Sequence, residues 1–321
     1  MFKCGAKSDA QLARSLNRLL HRICLGLLLG QSGLLQAGPI SVPNASFESP
    51  PLSFYVSTVF DSWQRIPQSA RWDESASGPW TNLTGIFKNP APGSSDHIDN
   101  CDGNQAAWLF ANSDVGLFQD YDSVDWNDPT PTHAFNAKFE VGNAYQLTVG
   151  VIGGGGAMQP GVPLEVSLYY RDPASNRVTV AAIGITNSLA VFPTNTHLID
   201  FTVNVPTVQA GDAWAGQNIG ILFLSTVNPG LEGGYWDLDN IRLSSIRAPV
   251  LSAPVWTNGQ FQLTLQSEPG LAFEILSTTN LALPLASWTA LGPLTNVTGT
   301  VPFVDTAPNF NQRFYRARLF P

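Results

Sequence analysis

Carboxylates in a strand-like run and tryptophans set in polar loops are the residues of this chain with chemistry to offer. The carboxylates stand in Tyr235-Trp-Asp-Leu-Asp-Asn-Ile-Arg-Leu243, where strict period-two alternation puts Tyr235, Asp237, Asp239, Ile241 and Leu243 on one face. Ile241 and Leu243 belong inward, so Asp239 would be buried beside them. An unpaired carboxylate in a core costs roughly several kcal/mol. Two resolutions are open: a bound cation neutralises the group, for which hard oxygen ligands suit calcium, or a β-bulge at Asp239-Asn240 turns it to water. The tryptophans are Trp63, Trp72, Trp126 and Trp214, in settings such as Arg71-Trp-Asp-Glu74 and Asp125-Trp-Asn-Asp128. A flat apolar ring surrounded by Asp, Asn and Gln is what sugar recognition needs. The alternative is that each ring plugs a loop against the body of the protein, with its indole N–H satisfied locally. Trp80, Trp108 and Trp236 occupy motif or strand positions and read as structural.

Signatures of catalysis are scarce. Beyond residue 37 the histidines are His97, His133 and His197, with no H-E-x-x-H and no regular metal spacing. No G-x-S-x-G elbow is present, and Gly153 to Gly156 lacks the Lys-Ser/Thr of a phosphate loop and reads as a flexible turn. The Asp-rich stretch from Asp96 to Asp128 does not follow the EF-hand pattern and reads as solvated loops. A pair of acids for glycoside hydrolysis has no motif that selects it.

The elements that must position these residues are strands. Tyr145, Leu147, Val149 and Val151 alternate with polar or small residues, as do Leu164, Val166, Leu168 and Tyr170, and Ile199, Phe201, Val203 and Val205. The run Ile219 to Leu224 is apolar on both faces and predicts a central strand. Turn signals separate them at Asp172-Pro173, Gly153 to Gly156 and Asn228-Pro229-Gly230. With 9 Trp, 18 Phe, 7 Tyr, 28 Gly, 24 Pro and only 12% charged residues, the composition also favours sheets. The fold class expected is all-β. Lys3, Lys7, Arg14, Arg18 and Arg22 precede an apolar run from Ile23 to Ala37, the order of a secretory signal, which predicts residues 1–37 as a signal peptide and export to the cell surface or beyond. Removing those five basic residues together with Asp9 takes the formal charge from −8 to −12, which argues against nucleic acid or an anionic membrane as partner. Cys101 is then the one cysteine left. It has no internal disulfide partner, and no His–Asn pattern supports it as a nucleophile.

Two short motifs bracket the larger module, Val42-Pro-Asn-Ala-Ser-Phe-Glu48 near its start and Gly234-Tyr-Trp-Asp-Leu-Asp-Asn-Ile-Arg-Leu243 near its end. With Pro79-Trp80 to Pro90, Asp102-Gly-Asn-Gln-Ala-Ala-Trp108 and Val115-Gly-Leu-Phe-Gln119 between them, this order resembles the galactose-binding-like jelly-roll family, which includes many carbohydrate-binding modules of secreted bacterial enzymes. The resemblance implies a jelly-roll β-sandwich over residues 38–246. It also implies a structural calcium between the first and last strands, with Glu48 and Asp239 as the ligand candidates and backbone carbonyls completing the shell. Beyond Arg247-Ala248-Pro249, the segments Phe273 to Asn280, Ser287-Trp288-Thr289, Phe303-Val-Asp305 and Gln312 to Arg316 resemble the small C-terminal sandwich of exported bacterial proteins, which implies an immunoglobulin- or fibronectin-III-like β-sandwich over 249–321. The function expected is non-catalytic glycan binding, with a polysaccharide as partner and Trp63, Trp72, Trp126 and Trp214 as ligand-binding residues. The alternatives are a structural or adhesive surface protein and, behind it, a glycoside hydrolase.

Overall fold

Residues 38–267, 269–306 and 312–319 are described by the computed structural model, and the expected signal peptide, 1–37, lies outside them. Among the described residues are eighteen strands, every pairing antiparallel, one short α-helix, α1 (Glu74–Ser77), and two 3-10 turns, Trp80–Leu83 and Leu285–Ser287. No helix among them is long and apolar enough to cross a membrane. The all-β class read from the alternating patterns is what the chain adopts.

Two large sheets form the jelly roll. The first runs β10 (Ile199–Val205), β7 (Asn143–Gly155), β12 (Tyr235–Arg247), β5 (Gln105–Phe110), β4 (Thr84–Lys88), β2 (Val56–Ser57), with β1 (Gly38–Ile40) added to β12. The second runs β3 (Gln64–Arg65), β6 (Gly116–Gln119), β11 (Gly220–Ser225), β8 (Pro163–Arg171), β9 (Arg177–Thr186). Their inner faces are the alternate apolar residues of each strand. Tyr145, Leu147, Val149 and Val151 from β7, Leu164, Val166 and Leu168 from β8, and Ile221 and Phe223 from β11 are all buried in one core. Each such side chain contributes about 1.5–3 kcal/mol on leaving water. The segment apolar on both faces is β11, the central strand of its sheet, as its pattern requires.

Two irregularities in the β7–β12 pairing decide what the outer face of the first sheet carries. Between Tyr235 and Asp237 the partner strand moves from Gly155 to Ile152, one residue more than β12 does. Gly154 takes up the slack at φ +87°, a conformation that favours glycine. The expected turn at Gly153 to Gly156 is therefore mostly the bulged end of a strand. Between Asp239 and Arg242 the extra residue is on β12, with Asn240 at φ +54°. That second bulge breaks the alternation. Trp236, Leu238, Ile241 and Leu243 all enter the core, while Tyr235, Asp237 and Asp239 stand on the opposite face.

Two three-stranded sheets follow, β13 (Val250–Thr257)–β14 (Gln260–Gln266)–β17 (Thr300–Asp305) and β16 (Thr289–Thr295)–β15 (Ala272–Thr278)–β18 (Phe314–Leu319). They close on Leu265, Phe273 and Ile275, with Phe303 and Tyr315 packed against them. Asp305 is held in this small sandwich by Arg313 Nη1 at 2.6 Å and the Tyr315 hydroxyl at 2.7 Å.

Candidate functional site

The outer face of the first sheet is paved with aromatic rings. In register across β4, β5 and β12, Gly85 stands opposite Trp108 and Trp108 opposite Asp237. Phe87 and Phe110 are further ring positions of β4 and β5 on this face, and Tyr235 lies 5.9 Å from Phe110, ring centre to ring centre. Glycine makes the paving possible at two points. A Cβ on Gly85 would sit 2.3 Å from the Trp108 ring, and one on Gly155 would sit 2.4 Å from the Tyr235 ring. The rings therefore lie directly on backbone.

Asp237 sits among them with an unmet demand. Its Oδ1 is sealed from solvent and has no hydrogen-bond partner among the described residues, and the same is true of Nε1 of Trp108, its cross-strand neighbour. Neighbours directly opposite in an antiparallel pair have Cβ atoms about 4.5–5.5 Å apart. Two orphaned polar groups side by side among aromatic rings are rare in a native protein and mark a place where something else supplies the partner. Burial pushes the Asp237 carboxyl up to about 8, because the charged form loses solvation and its sealed Oδ1 finds no donor among the described residues. Burial also raises the Tyr235 hydroxyl, helped by the negative charge of Asp237 and Asp96 and by Tyr55. The result is a carboxylic acid that keeps its proton at neutral pH against a wall of π faces.

The other end of this face is closed. Asn100 and Leu198 exchange hydrogen bonds at 2.8 and 3.0 Å, Asp99 N–H donates to Thr196 at 2.9 Å, and Ile98, Ala106, Ile152 and Leu198 make a second small core. Asp239 is fully buried beneath it. Its Oδ2 accepts the Asp102 N–H at 2.6 Å, and its Oδ1 is sealed without a partner. Burial raises its carboxyl to about 7. Glu48 reaches the same loop, its Oε1 accepting the N–H groups of Asn104 at 2.6 Å and Gln105 at 2.7 Å. The two residues that the resemblance nominated for calcium are thus brought onto one five-residue turn, Cys101 to Gln105. The bulge does not turn Asp239 to water; it moves the carboxylate from the main core to the buried underside of a loop. Among the described residues no group of three or more His, Cys, Asp and Glu is placed to hold a metal. The Oδ1 of Asp239 is an acceptor with no hydrogen-bond partner among the described residues. Cys101 lies in the same turn, donating to the Gln105 carbonyl at 3.3 Å, and burial together with the Asp239 charge pushes its thiol well above the ordinary range, so it is inert.

The four tryptophans nominated for glycan contact are placed differently from one another, Trp63 and Trp126 lining one cavity. Trp63 is buried, its ring against Phe47 and Phe223 and its Nε1 donating to Asn44 at 3.0 Å. Trp72 packs edge-on against Trp80 and donates to Gly78 at 2.9 Å. Trp214 packs against the core with its Nε1 sealed. Trp126 alone of the four presents its ring, at 54% exposure. Sequence reasoning passed over Asp237 and Trp108. Trp108 read as structural from its strand position, and Asp237 was counted on the face of Ile241 because the bulge at Asn240 leaves no mark in the alternation.

Residues 38–244 match the family model HpiC1-like, described as HpiC1 cyclase. Among solved structures, a Stig cyclase from Fischerella sp. TAU in complex with (3Z)-3-(1-methyl-2-pyrrolidinylidene)-3H-indole is 21% identical, covering 66% of this chain and 99% of that one, with a TM-score of 0.45. A second cyclase structure from Fischerella sp. TAU is 22% identical, covering 65% and 98%, at 0.44. The CBM22-1 xylan-binding domain from Paenibacillus barcinonensis is 10% identical, covering 67% and 99%, at 0.33. No curated protein matches the chain. The family match overturns the expectation of a non-catalytic glycan-binding protein, and with it the adhesive alternative, the carbohydrate-binding label and polysaccharide as the partner. The packing of three of the four tryptophans gives the physical reason: Trp63 is buried and Trp72 and Trp214 are part-buried against the core, so these rings are committed to packing rather than offered to a sugar.

Proposed function

With the premise that this chain belongs to the HpiC1-like cyclase family, we propose that it is an enzyme that cyclises an apolar, aromatic small molecule by proton transfer from Asp237. The observation that carries this reading is the sealed, unpartnered Oδ1 of Asp237 beside the unpartnered Nε1 of Trp108 on an aromatic face. The chemistry follows from the residues. The Asp237 O–H gives its proton to an alkene or electron-rich ring, leaving a carbocation on the substrate and a carboxylate on the enzyme. An internal π bond attacks the cation, forming the new carbon–carbon bond. A proton then leaves the product, to the Asp237 carboxylate or to solvent, so atoms balance with no oxidant or water consumed. The faces of Trp108, Phe110 and Tyr235 stabilise the cation through their quadrupoles, and their apolar surface keeps out the water that would trap it. The Trp108 N–H orients the substrate by donating to a polar atom on it.

The test is incubation of the folded protein with indoles carrying an alkene side chain, in D2O, followed by mass spectrometry. The expected product is an isomer of the substrate that has gained carbon-bound deuterium. Recovery of every compound unchanged, or conversion that persists undiminished in Asp237→Asn, sinks the reading. Export remains part of the proposal and predicts a mature protein whose N-terminal sequence begins at Gly38.

Calcium also remains a proposal, supported by the orphaned Oδ1 of Asp239 and by the convergence of Glu48 on the same turn. Asp239, Glu48 and carbonyls of the neighbouring backbone would hold it, and the ion would lock the turn rather than take part in the reaction. Chelation is expected to lower the melting temperature by several degrees, roughly the effect of removing a ligand bound at about 100 times its Kd. Asp239→Asn should melt lower and lose that sensitivity. A wild-type melting curve identical with and without chelator counts against the ion.

A further inference from the structure

Arg65 is a cation in the wrong place for a purely structural residue. It lies on β3 at the edge of the second sheet, half-buried, with its guanidinium 4.6 Å from the centre of the Phe60 ring. One Nη2 hydrogen bond reaches the Thr84 carbonyl at 3.1 Å. Its Nε is sealed from solvent and has no acceptor, and Arg65 makes no ion pair among the described residues. Arg171, Arg242, Arg313 and Arg318 each pair with a carboxylate instead. Burial alone lowers the Arg65 guanidinium to about 10. A part-buried guanidinium with no carboxylate beside it gains from an anion that completes it.

The surroundings say which anion. Arg65 borders a cavity of about 360 Å³ whose walls include Val59, Phe60, Asp125, Trp126 and Pro129. That volume lies within the range of small-molecule sites. The Trp126 ring is 54% exposed, yet its loop is fixed: the Trp126 N–H donates to Asp61 at 3.2 Å, and Asp125 and Asp128 are bridged through their backbones. Asp125 lines the same cavity but makes no ion pair with Arg65; its Oδ1 accepts from the Ser62 N–H at 3.1 Å and hydroxyl at 3.3 Å. The chain's formal charge of −8 and the nearby Asp125 disfavour a polyanion. Apolar walls and one fork-shaped cation suit a single carboxylate on a ring.

We propose that this cavity binds a small aromatic carboxylate, its carboxylate paired with Arg65 and its ring laid against Trp126. The site shares no lining residue with the face that carries Asp237, and it stands whether or not the cyclase reading does.

The experiment is calorimetric titration of the full protein with indole-3-acetate, with indole-3-acetamide and inorganic phosphate as the neutral and ring-free arms. The acetate is expected to bind saturably, and the acetamide and phosphate each at least about tenfold more weakly, a loss of one charge-assisted pair or of the ring contact. Arg65→Met should weaken the acetate at least about tenfold, and Trp126→Ala about fivefold. Asp237→Asn should leave it unchanged. Arg65 has one hydrogen bond to lose, so the Met variant should fold; if it does not, Trp126→Ala on its exposed loop decides. No saturable binding of the acetate, equal binding of the amide, phosphate as tight as the acetate, or an unchanged Kd in Trp126→Ala overturns the proposal.

Discussion

Asp237→Asn is expected to lower turnover by about 10²–10⁴-fold, the span lost when a positioned proton donor is removed, with the fold retained. The substitution is nearly isosteric and removes only the transferable proton. Burial is the one cause of the Asp237 shift, and Asp237 in turn acts on Tyr235, on which Asp96 and Tyr55 also act. Its carboxyl is raised to about 8 by burial. Turnover should therefore be level through neutral pH and fall as pH climbs through about 8, measured with calcium held saturating. Stability carries the same sign. Between the unfolded carboxyl range near ~3.9 and about 8, the folded state holds a proton that the unfolded state has released, so stability declines as pH rises across that window. Asn holds no such proton, and its melting temperature should be the flatter of the two between pH 5 and 8. Wild-type turnover in the Asn variant would show that Asp237 is not the acid.

The reading of this site from sequence failed for a local reason. Alternation in β7, β8 and β10, and the run apolar on both faces in β11, predicted the sandwich correctly because inside and outside are recorded in each strand's own residues, from Tyr145 to Val151 and from Ile199 to Val205. A bulge is not recorded that way. One residue at Asn240 moves Asp237 and Asp239 to the other face without changing any residue type. The tryptophans misled for a different reason. An indole in a polar loop looks the same whether its ring is offered, as in Trp126, or folded under with its N–H bound to a backbone carbonyl, as in Trp63 and Trp72. The pairing of Asp237 with Trp108 joins positions 129 residues apart (237 − 108), and only the topology brings them together.

Because Asp237 is held by what lies beneath it, the larger consequence for the whole site should come from the core. Trp236 is fully buried directly behind the aromatic face, edge-on to Phe192 at 5.8 Å and close enough to β7 that a Cβ on Gly153 would sit 2.8 Å from its ring. It is the inward residue between Tyr235 and Asp237, so its packing sets where both point. Trp236→Ala is expected to cost about 3–5 kcal/mol, the transfer term plus the cavity. For a body of this size that is a fall of about 6–20 °C in melting temperature. Turnover should also fall below the freezing-out of unfolded protein, even at temperatures where the variant is folded, because β12 relaxes toward the cavity and a displacement of about 1 Å at a catalytic group costs on the order of 10²-fold. Trp236→Phe keeps most of the volume and removes an N–H that has no partner among the described residues, so it should retain most of both stability and turnover. Calorimetry and single-turnover rates on the two variants separate the effects. If Trp236→Ala loses stability but keeps wild-type turnover per folded molecule, the aromatic face is positioned by its loops and not by the core behind it.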